Sequence, residues 1–442
     1  MSESPPPSPA GPTTPARFTS RIAAVVTAVA AIVFAAELND KPFVDEYAYI
    51  TQSYQPDLLL DGKRDDPHWL EFLSFDLVPV PKYMINAAFR ATGTPRPTAR
   101  DALGWYQNTE SRWKSRRELI IARLPFVCSA AAGCAAMYLL ASLAIDPTIA
   151  LLAAGMLAIN PLYRLHAHRA MSESPCETFL MLALLIGLTA WTRWWSARGR
   201  ATTAWILWIL TGVAAGLSVL AKFNGLLALF TLASWGGLGL LAPHGASPVR
   251  RAGLIAGIGL AVAVAAATFL ALNPFMTARP GGPLPPAIRS LAEQGPWSRF
   301  RFLIDQRRSS SSSQQTMFPH NALVDPIERV KVVVVQGFGR FGLFGAPKSD
   351  STIRYDVQDL GALLWLPLVL AGVIRAIRLG MAQLAANEPP TALALVLWAA
   401  VTLAVVTVYI PMAWDRYLLP IQAPLTLLAA IPVREALARV KP

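Results

Sequence analysis

Long apolar runs constrain this chain more than any other feature of its sequence. A helix needs roughly 20 apolar residues to cross a hydrocarbon core of about 30 Å. Hydropathy predicts about ten transmembrane helices, at 20–38, 118–144, 147–164, 175–192, 203–220, 224–242, 252–272, 360–377, 391–410 and 414–431. The sequence therefore predicts an all-α polytopic membrane protein.

The composition agrees with this fold class. Of the 442 residues, 54% are hydrophobic and only 15% are charged, whereas a soluble protein carries roughly 25% charged residues. The net charge of +12 is typical of a nucleic-acid-binding protein. However, arginine and lysine also accumulate in the cytoplasmic loops of membrane proteins. We therefore expect a membrane-embedded protein with no nucleic-acid partner.

Basic residues near the ends of the predicted spans are unevenly divided between the two sides. If the N-terminus is cytoplasmic, the inner side holds Arg17, Arg21, Arg193, Arg198, Arg200, Arg250, Arg251, Arg375, Arg378, Arg434, Arg439 and Lys441. The short outer connections hold only Arg164, Arg169, Lys222 and Arg416. By the positive-inside rule, this asymmetry predicts a multi-pass protein of the plasma (inner) membrane with both termini in the cytoplasm.

This topology divides the chain into a tail and one membrane domain. Residues 1–19 are rich in proline and serine and are expected to form a disordered cytoplasmic tail, and residues 20–442 a single membrane-embedded domain. Two long loops, about 39–117 and 273–359, fall on the outer side and are expected to carry short interfacial helices. Within the second loop, the five serines 309–313 predict a flexible segment.

Asp45 and Glu46 follow the first predicted span by a few residues and are flanked by Phe43, Tyr47 and Tyr49. A solvated acidic pair at the end of a helix would account for these residues. Alternatively, a carboxylate that is partly desolvated at the membrane surface can serve as a general base. The second interpretation makes Asp45 the candidate catalytic residue.

Four basic residues on the outer side are candidates for binding an anionic substrate. Lys82 and Arg123 lie near the membrane surface, where snorkelling would also explain them. Arg416 has an acidic neighbour in Asp415, but Lys222 has no acidic residue nearby in the sequence. Their shared location favours contacts with a lipid-linked phosphate.

The outer turn at 160–175 contains His166, His168, Arg169 and Glu173. The two histidines and the glutamate are possible ligands of a divalent metal. Alternatively, the turn is a polar connection in which Glu173 stabilises the start of the next helix.

In order and placement, these elements resemble the GT-C superfamily of membrane glycosyltransferases, in particular the protein O-mannosyltransferases and lipid A aminoarabinose transferases. The segments that carry the resemblance are Asp45-Glu46, Pro81-Lys82-Tyr83, 122–125, 168–173, 216–225 and 416–420. The resemblance covers most of the chain.

The resemblance implies a polyprenyl-phosphate sugar as donor, a lipid, glycan or protein as acceptor, and inversion at the anomeric carbon. Asp45 would deprotonate the acceptor hydroxyl. No cofactor is strictly required, although some relatives use a divalent metal, for which Glu173 with His166 or His168 is the candidate site. The predicted substrate-binding residues are Glu46, Lys82, Arg123, Arg169, Lys222, Arg416 and Tyr417.

Two other functions fit a polytopic chain with charges at membrane depth. One is a transporter or lipid-linked saccharide flippase without transferase activity, although transporters concentrate ionisable residues near the bilayer midplane. The other is a degenerate relative that binds a partner without catalysis. The clustering of ionisable residues at one face favours the enzyme.

Overall fold

The computed structural model describes residues 16–100, 102, 116–196, 201–241, 248–343, 345, 355 and 357–440. The α-helices are, in chain order, α1 (Ala16–Ala35), α2 (Val44–Thr51), α3 (Gln55–Leu60), α4 (Phe72–Asp76), α5 (Pro79–Thr92), α6 (Arg116–Ala144), α7 (Pro147–Ile159), α8 (Pro161–Ala167), α9 (Glu173–Ser196), α10 (Ala201–Ala221), α11 (Leu226–Leu241), α12 (Pro248–Ala271), α13 (Pro286–Ala292), α14 (Pro296–Met317), α15 (Pro326–Lys331), α16 (Gly361–Ala385), α17 (Thr391–Tyr409) and α18 (Asp415–Val440). Most of the predicted tail, residues 1–15, lies outside the described residues, and α1 begins within the remainder of it.

The predicted all-α polytopic fold is confirmed for the described part of the chain. Eight helices there are long and apolar enough to cross a membrane: α6, α9, α10, α11, α12, α16, α17 and α18. A ninth span results if α7 and α8 are counted as one broken helix. The remaining predicted span, 20–38, corresponds to α1. The apolar part of α1, Thr19–Ala35, is shorter than the eight spanning helices.

Asn160 and Pro161 cause the break between α7 and α8, where the chain bends by 66°. Proline has no N–H to continue the hydrogen bonds of α7. The Asn160 side chain caps α8 by accepting a hydrogen bond from the Tyr163 N–H at 2.9 Å, and it donates to Gln422 Oε1 of α18 at 3.0 Å. The bend starts the connection that carries His166 and His168 between α8 and α9.

Small residues allow the spans to pack closely. In α16, Gly372 lies against α18 so tightly that a Cβ at this position would be 2.0 Å from the carbonyl oxygen of Leu428. Such close backbone approaches are typical of membrane helices. The Trp235 indole N–H of α11 donates to the Ala394 carbonyl of α17 at 2.7 Å, which fixes a second pair of spans.

The two outer segments fold against each other. Trp69 and Leu70 of the first segment share an apolar cluster with Phe275 and Leu303 of the second. Arg299 is buried and donates to four carbonyl groups of its own segment, including Phe275 O at 2.6 Å. Both outer segments are therefore ordered over their described residues.

The prediction of a flexible loop at the five serines is wrong. Residues 309–313 lie in the second half of α14, a 22-residue helix. Serine is only a moderately poor helix former, so tertiary contacts readily override its preference. Here α14 packs across the outer side, and the Gln315 side chain donates to the Pro411 carbonyl at 3.0 Å.

Gly225 sets the position of Lys222 in the turn between α10 and α11. A short 3₁₀ helix, Phe223–Gly225, makes this turn, and the Gly225 N–H donates to the Lys222 carbonyl at 2.9 Å. A Cβ on Gly225 would lie 2.3 Å from the carbonyl carbon of Ser218. Only glycine lets the turn lie so close to the end of α10.

We therefore expect Gly225→Ala to destabilise the protein by about 1–3 kcal/mol, because the added methyl group forces the backbones apart. The matched control is Gly259→Ala in α12, where a Cβ would meet no atom within 4 Å. That variant should be neutral or slightly more stable. Thermal unfolding of both variants in detergent measures the difference, and equal midpoints would contradict the close-packing explanation.

Candidate active site

Glu46 and Asp45 occupy the first turn of α2, which begins directly after the residue Phe43. The Phe43 N–H donates to Glu46 Oε2 at 2.8 Å, so Glu46 caps its own helix. Neighbouring residues of a helix point about 100° apart. The two carboxylates consequently face different surroundings.

The Glu46 carboxylate is fully buried and forms a two-pronged ion pair with Arg123 of α6. Arg123 Nε donates to Oε1 at 2.8 Å, and Nη2 donates to Oε2 at 2.7 Å. The other guanidinium N–H groups donate to the carbonyls of Leu38 and Asp40, at 2.7 and 2.8 Å, and of Lys41, at 3.3 Å. All five N–H groups of Arg123 are therefore used within the protein.

This ion pair joins four parts of the fold. It ties the end of α1 and the start of α2 to α6, and Glu46 Oε1 also accepts the Ala170 N–H at 2.8 Å from the connection between α8 and α9. Because Glu46 and Arg123 are both fully buried and bonded to protein atoms, their geometry does not fit the predicted contact with substrate. Their role in this structure is to hold the site together.

Asp45 differs from Glu46 because its side chain is 36% exposed. Arg416, from the first turn of α18, donates to Asp45 Oδ2 at 2.6 Å. The Arg416 guanidinium carbon lies 4.8 Å from the ring centre of Trp414 and 5.8 Å from that of Tyr417. Cation–π contacts of this kind hold the guanidinium in place beside the carboxylate.

Lys222 finds its partner in Glu173, at the start of α9. The ammonium group donates to Glu173 Oε1 at 2.8 Å, while Ser172 donates to Oε2 at 3.1 Å. Burial, together with the charge of Glu173, raises the pKa of Tyr49, so this neighbouring phenol stays protonated. The charges of Lys222 and Arg416 are also close enough to interact. The pairs Asp45–Arg416 and Lys222–Glu173 therefore form one polar centre at one end of the spans.

The three predicted metal ligands do not form one cluster in the described part of the chain. Glu173 pairs with Lys222, and His166 lies 3.6 Å from Asp415. His168 instead approaches two acidic residues after α1, Glu37 and Asp40, at 3.4 and 3.6 Å.

Glu37, Asp40 and His168 offer ligand atoms within 4.8 Å of one another, a set that suits a divalent ion. However, Arg164 already forms an ion pair with Glu37. A hydrogen bond from His168 also lowers the pKa of Glu37. Because a protein cation already compensates the charge of Glu37, we derive no catalytic step from a metal here.

Lys82 is fully buried in α5, away from the carboxylate pairs. Its ammonium group donates to Gln55 Oε1 at 2.8 Å and to the Ser74 carbonyl at 2.7 Å. Burial lowers the pKa of Lys82 well below its usual range. These neutral acceptors tie α5 to the neighbouring outer helices, and this position does not fit the predicted phosphate contact.

Arg169 and Tyr417 complete the predicted set. The Arg169 guanidinium lies 4.6 Å from the Phe43 ring centre, beside the start of α2. Tyr417 follows Arg416 and lines a cavity of about 690 Å³. Both residues therefore lie beside the residues of the polar centre.

The cavity has one apolar wall and one polar wall. Leu227 and Phe230 of α11 with Val405 and Val406 of α17 form much of the apolar side. The polar side comes mainly from α14, through Arg307, Arg308, Ser311, Ser312 and Gln315. An apolar groove with cations on one wall matches the chemistry of an amphiphile with a long chain and an anionic head.

Arg307 is a site residue that the sequence-based interpretation missed. It forms an ion pair with Asp76 at 3.4 Å and also donates to the Asp76 carbonyl. The signal was present, because Arg307 precedes the serine run by two residues. Because the serine run predicts a flexible segment, Arg307 is not among the site residues that the sequence predicts.

Part of the chain is similar to a known protein family. Residues 81–276 match the dolichyl-phosphate-mannose-protein mannosyltransferase family. The search of curated proteins found no match.

Two solved structures represent the structural matches. The oligosaccharyltransferase of Archaeoglobus fulgidus superposes with a TM-score of 0.56 and 15% identity, over 96% of this chain and 51% of its own. The ArnT protein of Cupriavidus metallidurans gives 0.52 and 14%, over 94% and 60%. The chain thus spans about half to three fifths of the length of these proteins.

The fold and the polar centre define a polytopic membrane protein with a charged site at one end of its spans. The family match over residues 81–276 and the architecture shared with these two structures confirm the expected resemblance to the GT-C superfamily of membrane glycosyltransferases.

Arg123→Leu should destabilise the protein by about 3–5 kcal/mol, because it leaves the buried Glu46 carboxylate without its counter-charge. Arg117→Leu removes an exposed arginine from the same helix and serves as the control. Unfolding in detergent followed by intrinsic fluorescence measures both. Equal losses in the two variants would contradict the structural role of the Arg123–Glu46 pair.

Lys82 predicts a specific pH dependence of stability. Because its pKa is lowered on folding, the unfolded chain binds more protons than the folded protein between the lowered value and the ordinary value of 10.5. The contribution of Lys82 to stability should therefore rise with pH across that window. Lys82→Met should flatten the curve of melting temperature against pH, and parallel curves for variant and wild type would refute this.

Proposed function

We propose that the protein transfers a sugar from a polyprenyl-phosphate donor to an acceptor hydroxyl on the outer face of the membrane, with inversion. The observation that carries the proposal is the Asp45–Arg416 pair, which lies beside Lys222 and next to an amphiphilic cavity. A candidate base, two cations and a lipid-sized groove thus adjoin one another.

The cavity supports a lipid-linked donor. Its apolar wall between α11 and α17 suits an isoprenoid chain, and Arg307 and Arg308 on the opposite wall suit a phosphate. Two structural relatives were solved with such lipids: ArnT bound to undecaprenyl phosphate and AglB of A. fulgidus in complex with a dolichol-phosphate. The match to the dolichyl-phosphate-mannose-protein mannosyltransferase family also supports a lipid-linked donor.

In the proposed reaction, Asp45 takes the proton of the acceptor hydroxyl as its oxygen attacks the anomeric carbon. The bond between that carbon and the phosphate oxygen breaks, and its electron pair remains on the phosphate. Arg416 and Lys222 stabilise the growing negative charge by hydrogen bonds that strengthen in the transition state. The products are the glycosylated acceptor, with inverted anomeric configuration, and polyprenyl phosphate.

We further propose that the enzyme resides in the inner membrane with both termini in the cytoplasm, as its basic residues predict. Lipid, glycan and protein acceptors all supply the hydroxyl that this chemistry needs. Any divalent ion would be held by Glu37, Asp40 and His168.

Asp45→Asn should reduce sugar transfer by at least about 100-fold, since amides do not accept the proton and general bases contribute about 10²–10⁴-fold. Asp61→Asn, at a side chain that is 54% exposed just after α3, is the control and should retain activity. The assay follows labelled sugar from polyprenyl phosphate to acceptor in reconstituted vesicles. The acceptor is first identified as the glycan that disappears from membranes lacking the protein.

Lys222→Ala should raise the donor concentration needed for half-maximal transfer, because one phosphate-binding cation is lost. Donor titrations of this variant in the same vesicles measure the change. An unchanged donor requirement would remove Lys222 from the phosphate site. Movement of intact lipid-linked saccharide across the bilayer without transfer would favour a flippase instead.

A further inference from the structure

Three cations lie at or beside the cavity that is proposed to bind the donor, hereafter the donor cavity. Each of them forms an ion pair with a carboxylate of the protein. Arg416 holds Asp45 at 2.6 Å, Lys222 holds Glu173 at 2.8 Å, and Arg307 lies 3.4 Å from Asp76. In this structure, three groups suited to bind a phosphate thus already have anionic partners. A donor has to replace at least one of these carboxylates to reach its cation.

The three carboxylates are not equally easy to replace. The Glu173 side chain is only 3% exposed and also accepts a hydrogen bond from Ser172. Asp76 holds Arg307 through its backbone carbonyl as well as its side chain. Asp45 is the most exposed of the three, and its described ion pair is with Arg416. Asp45 is therefore the carboxylate that a phosphate displaces at the lowest cost.

Arg416 is built to remain in place when Asp45 leaves. Its guanidinium lies over the rings of Trp414 and Tyr417, and its backbone N–H donates to Asp415 Oδ1 at 2.6 Å. Tyr417 also lines the donor cavity. The cation is thus fixed between the cavity and Asp45, and it can exchange one anion for another without moving.

We propose that Asp45 occupies the place of the donor phosphate on Arg416 and is released for catalysis when the donor binds. This inference rests on the proposed function. A phosphodiester and a carboxylate each carry one negative charge, so the exchange leaves Arg416 neutralised. The freed carboxylate can then accept a proton from the acceptor hydroxyl, which a carboxylate bonded to a guanidinium does less readily.

The consequence is an order of events at the site. The donor binds first and activates the base, and the acceptor is deprotonated second. After transfer, the phosphate monoester carries about −1.5 to −2 charges at neutral pH. It therefore holds Arg416 at least as well as the donor does, and Asp45 regains its partner only after polyprenyl phosphate leaves.

The test is the affinity of the purified protein for undecaprenyl phosphate, which needs no turnover. Asp45→Asn removes the internal competitor for Arg416 and should tighten binding by about two- to sixfold, as expected for release of a partly exposed ion pair. Asp61→Asn removes an acidic charge whose described ion pair is with the exposed Lys63, away from the Asp45–Arg416 pair, and it should change the affinity little.

A double-mutant cycle separates the exchange from a general change in electrostatic potential. In an Arg416→Gln background, Asp45→Asn should no longer tighten binding, because the cation that both anions share is absent. Unchanged or weaker binding by Asp45→Asn alone, or equal tightening in both backgrounds, would overturn the exchange. If Arg416→Gln fails to fold, the affinities of Asp45→Asn and of its control for undecaprenyl phosphate still decide whether the exchange occurs.

The proposed function fails by a different result. If the wild-type protein does not bind undecaprenyl phosphate and transfers no sugar from a polyprenyl-phosphate donor, the donor class itself is wrong. Binding by the wild type without tightening in Asp45→Asn rejects only the exchange.

Discussion

The ion pair between Glu46 and Arg123 is the interaction on which the rest of the site depends. Burying two charges is costly unless each is paired and hydrogen-bonded, and here every guanidinium N–H and both carboxylate oxygens are satisfied. The pair fixes the start of α2 against α6 and against the connection at Ala170. As a result, Asp45, one residue before Glu46, is held at one end of the spans, where its own carboxylate pairs with Arg416.

A second constraint follows from the low dielectric of the surroundings. Charges at membrane depth persist only when they are paired or line a polar cavity. The site meets this requirement with pairs that bring distant helices together: Lys222 after α10 with Glu173 of α9, and Arg416 of α18 with Asp45 of α2. These pairs stabilise the fold and also hold the cations beside the cavity. The charges that stabilise the packing of these helices are therefore the same ones that the proposed reaction uses.

The sequence predicts the fold class and the location of the site, and it does so through signals that are local. Apolar run length identifies the spans, and the distribution of arginine predicts one outer face on which Asp45, Lys222 and Arg416 meet. The ion-pair partner of a charged residue, by contrast, does not have to be near it in the sequence. The partner of Lys222 is 49 residues away and that of Arg416 is 371 residues away, so neither can be derived without the packing of the helices.

The differences between the sequence-based expectations and the structure also arise from contacts between residues that are distant in the sequence. Glu46 and Asp45 are neighbours in the sequence, and only the direction of each side chain shows that one is structural and the other accessible. The serines 309–313 lack the periodicity of a helix in isolation but become helical because α14 is packed across the outer side. The sequence spacing of His166, His168 and Glu173 suggests shared ligation, yet the turn directs each toward a different partner.

The most direct measurement is an experimental structure of the protein with undecaprenyl phosphate in a lipid nanodisc. The phosphate should lie within hydrogen-bonding distance of Arg416 and Lys222, with the isoprenoid chain between α11, α14 and α17 and Asp45 separated from Arg416. Lipid bound at another face, with the Asp45–Arg416 pair intact, would contradict the assignment of this site.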